Sequence, residues 1–133
     1  MKDPKLIKNL QLGISAAVVF IASFVYGGNP SKFLPYIFGF EVQDLELKNI
    51  FRAIMGLYIA FGIYWIIGIQ NPKHWQGATI SNIIFMGGLT IGRLVSTILD
   101  GVSIQYSIGM ILEALFFLWG YYNLRKYGQV KTY

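Results

Sequence analysis

The chain has no cysteine and a single histidine, His74, in 133 residues. Without cysteine there is no disulfide framework, no thiol nucleophile and no thiolate metal site. One imidazole cannot build a histidine metal centre, and a haem or chlorin would have only His74 as an imidazole ligand. That residue sits in a polar stretch between apolar runs, so it reads as a solvated residue rather than a ligand or pH sensor. No cofactor and no metal are expected. Charge is scarce as well: Asp, Glu, Lys and Arg make up 13% of the chain, against roughly 25% in soluble domains. The shortage is sharper for one sign, with six acidic residues against eleven Lys and Arg, a net charge of +5. The cations lie in short stretches between apolar runs rather than along one face, so no nucleic-acid partner is expected.

What fills the space is apolar. Hydrophobic residues make up 55% of the sequence and aromatic residues 17%, and mean hydropathy is +0.53. Four runs stand out, and they predict transmembrane helices over about 8–26, 49–69, 78–99 and 105–124. Each is about twenty residues long, the length that crosses roughly 30 Å of hydrocarbon. Alternating ten-residue segments, the mark of a membrane β-barrel, are not visible. The fold class is therefore all-α: an integral membrane bundle of four transmembrane helices forming one domain over 1–133. The first run follows Lys2, Lys5 and Lys8 and closes with Phe24-Val25-Tyr26. It has no small-x-small cleavage site, so it reads as an anchor rather than a removed signal. Gly27-Gly28-Asn29-Pro30 ends it. The outer loop, 27–48, then carries an aromatic segment from Phe33 to Phe40, interrupted by Pro35 and Gly39. It is too short to span and reads as interfacial or re-entrant. Asp44 is placed to cap the next helix. Gln70-Asn71-Pro72 stops the second span, and Asp100-Gly101 stops the third.

Charge sets the orientation. With both termini in the cytoplasm, Lys2, Lys5, Lys8, Lys73, Arg125, Lys126 and Lys131 lie inside, with Asp3 among them. Glu41, Asp44, Glu46 and Asp100 lie outside with Lys32 and Lys48. This is the positive-inside distribution, and it works only with an even number of spans. Trp65, Trp75, Trp119, Tyr121 and Tyr122 fall toward the inner interface. Tyr26, Tyr36 and Tyr106 fall toward the outer one. That distribution predicts an aromatic belt.

Three ionisable residues remain inside the spans: Arg52, Arg93 and Glu113. A charge in hydrocarbon costs several kcal/mol and normally faces protein with a partner. Arg93 lies seven residues before Asp100 and Glu113 eight after Gln105, which puts both about 10–12 Å below the outer edge. They are expected to form an ion pair. Asn82, Arg93 and Asp100 fall within about twenty degrees on a helix, flanked by Thr90 and Thr97. Gly88 and Gly92 form a small-xxx-small pair, and Asn49, Ala53, Gly56 and Ala60 make a similar face beside Arg52. The expected ligand-binding set is Arg52, Arg93, Glu113, Asn49, Asn82, Thr97 and Asp100. No catalytic residue is expected. Buried Arg–Glu pairs also serve merely to fix helix register.

The run Asn49-Ile50-Phe51-Arg52-Ala53-Ile54-Met55-Gly56-Leu57-Tyr58 resembles the signature of the bacterial "domain of unknown function 4345" membrane proteins. Ala60-Phe61, Trp65, Asn71-Pro72-Lys73, Ser81-Asn82 and Gly87-Gly88-Leu89 through Gly92-Arg93 extend the similarity, which covers about 27–126. The resemblance implies four spans and a recurrent pair of arginines. It brings no activity. Three functions are open. The first is a binding or transport module of the bacterial cytoplasmic (inner) membrane, whose outer-leaflet polar pocket holds an anionic lipid or other amphiphile. There Arg52 and Arg93 clamp the anion, while Glu113 positions Arg93 or shuttles a proton. The second is a structural subunit of a larger membrane complex or a homo-oligomer. The third is a lipid- or quinone-modifying enzyme, for which Glu113 is the single deep carboxylate.

Overall fold

The computed structural model describes residues 4–128. Lys2, Asp3 and Lys131 of the orientation count lie outside the described residues. Five helices and no strand occur among the described residues: α1 (Pro4–Gly27), α2 (Pro30–Phe38), α3 (Leu45–Gln70), α4 (Pro72–Asp100) and α5 (Ile104–Tyr127). Four of them, all but α2, are long and apolar enough to cross a membrane.

The helix ends follow from their sequences. Pro30 is the first residue of α2, where a missing N–H costs nothing. Gly39 closes that helix at φ +76°, the left-handed conformation that glycine adopts without strain, and its N–H donates to the Pro35 carbonyl. The aromatic segment after the first span is therefore a nine-residue helix with Pro35 inside it. Asp44 directly precedes α3, and its carbonyl accepts from the Lys48 N–H at 3.1 Å.

The long helices overrun the apolar runs that announce them. The largest difference is at α4, which begins at Pro72 rather than near Ala78. The Asn71 side chain caps it by accepting from the Lys73 N–H at 3.1 Å, and Pro72 occupies the first helical position. The Asn-Pro pair that stops α3 thus also starts α4, with a single residue between them. His74 consequently lies in the first turn of α4, exposed, and not in a loop.

By contacts the chain divides into two compact units. Among the described residues, one holds 4–13 and 65–128 and the other 14–64, so α1 and α3 contribute residues to both. In the first unit α4 packs along α5. The end of α3 approaches α4 so closely that a Cβ on Gly68 would overlap the Ala78 side chain. Trp65 is fully buried there. Its indole donates to Ser81 Oγ at 3.1 Å, and its ring meets Phe85 edge-on at 5.4 Å. Trp75 is buried too, with the Lys8 ammonium 4.0 Å from its ring centre. These two tryptophans are core residues and not part of an interfacial belt. Their depth along the helices suits a belt, but they point inward. Tyr121 and Tyr122 are exposed.

In the second unit Gly62 lets Val19 and Phe20 of α1 come close to α3. Tyr26 is the centre of an aromatic cluster with Phe38 (6.0 Å), Phe51 (6.1 Å) and Tyr58 (5.9 Å). Tyr36, by contrast, is 90% exposed. On α4, Ile84, Ile91 and Ile98 are all largely exposed at seven-residue intervals. An apolar stripe of that length suits hydrocarbon, not water.

Candidate functional site

Arg93 and Glu113 sit on α4 and α5 within one unit. Arg93 Nε donates to Glu113 Oε2 at 2.8 Å and Nη2 to Oε1 at 2.9 Å. The two parallel bonds form the planar fork that guanidinium and carboxylate make best. The side chains are 19% and 14% exposed, so the pair lies at the edge of protein rather than deep inside. Two neighbours enclose it. Gly109, one turn before Glu113, faces the guanidinium, and a Cβ there would meet it at ordinary contact distance. Tyr106 places its ring under Arg93, 5.1 Å from the guanidinium carbon, an added cation–π contact.

Beside this pair lies a cavity of about 250 Å³ lined by Gly92, Arg93, Ser96, Thr97, Ser103 and Tyr106 among others. It collects one guanidinium and several hydroxyls at the end of the α4–α5 hairpin. Thr97 donates its hydroxyl to the Arg93 carbonyl at 2.8 Å, so this hydroxyl keeps only its acceptor lone pairs for a guest. Asp100 is exposed and accepts from Ser96 Oγ at 3.1 Å.

Asn82 has a different set of neighbours. It is eleven residues before Arg93 on α4, about 16 Å along the axis. It is fully buried and accepts from Gln11 Nε2 at 2.5 Å. Gln11 also donates to the Phe116 carbonyl at 3.4 Å, and Asn123 Nδ2 to the Lys8 carbonyl at 3.4 Å. Gly120 is what admits this cluster: Gln11 and Asn82 both approach the position where its Cβ would stand. Asn82 Nδ2, Trp75 Nε1 and Asn9 Oδ1 are buried without a hydrogen-bond partner among the described residues. Gln11, Asn123 and Asn9 were not singled out by sequence reasoning. The available signal is a polar residue inside or at the edge of an apolar run, which for Gln11 is plain in Asn9-Leu10-Gln11-Leu12.

Arg52 and Asn49 belong to the other unit. Both are exposed on α3. Arg52 is seven residues in from Leu45, about 10 Å along the helix, and makes no ion pair among the described residues. Gly56, one turn on, has open space where a Cβ would be, and Ala53 and Ala60 are exposed.

Among the described residues, five helices, four of them long and apolar enough to cross a membrane, with an Arg–Glu ion pair inside two of the apolar segments, define a class of small all-helical proteins. The family model described as "Domain of unknown function (DUF4345)" matches residues 7–124, and the chain belongs to that family. No curated protein and no solved structure matches the chain.

Proposed function

We propose that the chain is a binding or transport module of a bacterial cytoplasmic membrane, with both termini inside, and that its pocket beside Arg93 takes the polar or anionic headgroup of an amphiphile from the outer leaflet. The observation that carries this reading is the cavity itself: about 250 Å³ walled by a fork-bonded guanidinium and by hydroxyls, next to apolar helix surface. Glu113 holds Arg93 in a fixed orientation, and the guanidinium supplies bonds to a guest. The Ser96 and Ser103 hydroxyls, which donate to Asp100 and Gln105, turn to a guest only by giving up those bonds. Because Glu113 neutralises Arg93, an anion binds here best when it competes with that carboxylate for the guanidinium. Arg52, with Asn49 one turn before it, offers the same class of ligand an anion contact on α3 in its own right.

A structural role in a larger assembly is favoured by a different observation. Gly88 and Gly92 are exposed, and each has open space where a Cβ would be. Such a face allows a neighbouring helix to approach closely. An enzymatic role rests on Glu113 alone as proton carrier, and that carboxylate is committed to Arg93.

Native mass spectra in mild detergent decide between the first two. The expected result is a bound mass on the wild type that is lost in Arg93→Gln while that variant stays folded. Absence of any bound mass, with Arg93→Gln and Glu113→Gln both failing to accumulate, would make the pair structural.

A further inference from the structure

Residues 18–37 frame an apolar groove within the unit formed by residues 14–64. Ile21, Phe24 and Val25 recur at helical spacing on α1, and Lys32, Phe33, Tyr36 and Ile37 do so on α2. These seven residues line a groove of about 690 Å³ within the second unit. An adjoining hollow of about 340 Å³ shares Ile21, Val25 and Ile37 and extends the trough to Val18. From Val18 to Val25 the trough follows α1 for about 10 Å. Its walls are carbon. Lys32 is the cation on its lining, exposed and without an ion pair among the described residues.

We propose that this groove holds one anionic phospholipid, its acyl chain lying along Ile21, Val25 and Ile37 and its phosphate on Lys32. The shape argues for a chain rather than a headgroup: the trough is long, apolar and open along its side. Charge complementarity favours an anionic lipid: every phospholipid brings a phosphate, but the headgroup cation of a zwitterionic one opposes Lys32 and offsets the attraction. Nine residues of α2 span about 13 Å, too little to cross the membrane. A short helix with Phe33, Tyr36 and Ile37 exposed suits the interface. That is the level at which a phosphate and the top of an acyl chain meet. The site requires a membrane around the helices, but not the ligand proposed for the Arg93 pocket.

The test uses the full chain in lipid vesicles containing phosphatidylglycerol, or phosphatidylcholine, with a photoreactive group on one acyl chain. After irradiation, adducts are mapped by peptide mass spectrometry. Phosphatidylglycerol adducts should concentrate on residues 18–37. They should fall about fivefold in Lys32→Gln, the factor that one surface cation supplies, and return in Lys32→Arg. Phosphatidylcholine should concentrate there no more than phosphatidylglycerol does on Lys32→Gln, and its yield should not change in that variant. Lys32 is exposed, so both variants are expected to fold, and circular dichroism confirms it. Adducts spread evenly over the groove and the Ile84, Ile91, Ile98 stripe, whatever the headgroup, would overturn the proposal in favour of ordinary boundary lipid. Labelling of the Ile84, Ile91, Ile98 stripe with no adducts on residues 18–37 would overturn it in favour of a groove covered by protein.

Discussion

Arg93 and Glu113 meet fork to fork, at 2.8 and 2.9 Å, across twenty residues of chain and from two different helices. Each charge is tolerable in an apolar setting because the other is there. Removing one should therefore cost more than removing both. Glu113→Ala or Arg93→Ala is expected to lower stability by roughly 3–5 kcal/mol. The apolar double variant Arg93→Met with Glu113→Leu should recover most of that loss. Unfolding by titration with a denaturing detergent measures all three. Single losses that simply add in the double variant would mean the two side chains are not coupled.

A second prediction concerns Asn82 and Gln11. Their 2.5 Å bond is fully buried. Asn82→Ala should destabilise by about 1–3 kcal/mol, because the Gln11 amide loses a buried acceptor. A thermal unfolding midpoint unchanged from wild type would show that water replaces the Asn82 carbonyl at no cost.

Glycines separate packing from assembly. Gly68→Ala places a methyl against Ala78, with helix backbone behind it, and should lower stability or expression. Gly88→Ile enters open space and should leave the monomer's stability within about 0.5 kcal/mol. If the Gly88–Gly92 face joins copies or partners, Gly88→Ile should also reduce cross-linked species in membranes. Cross-linking that is unaffected would remove the assembly reading of that face.

The absence of cysteine makes orientation directly measurable. Val102 and Gln70 are exposed at opposite ends of membrane-length helices. Val102→Cys should react with an impermeant maleimide in intact cells. Gln70→Cys should react only after permeabilisation. The reverse pattern would invert the proposed topology.

Depth was legible in the sequence, and direction was not. Counting residues from Asp100 and Gln105 placed Arg93 and Glu113 at one level, and the structure pairs them. The four long helices follow from their apolar runs. What counting does not give is the side of the helix on which a residue lies once every side is apolar. Trp65 and Trp75 have the depth of interfacial anchors, yet both point into protein. Asn82 shares a stripe with Arg93 on α4, but its partner is Gln11 on α1, about three turns away from Arg93 along α4. A stripe that long reaches two sets of neighbours. The early start of α4 was hidden because Asn71-Pro72 carries two messages, stopping one helix and capping the next.

That junction has a mechanical consequence. A single residue joins α3 to α4, and on either side of it the helices are fastened within two or three turns, by Gly68 against Ala78 and by the indole of Trp65 on Ser81. There is no slack in such a corner. Any tilt of the start of α4 carries residues 65–70 with it. An insertion placed between Gln70 and Pro72 would uncouple residues 65–70 from α4 while leaving both helices whole.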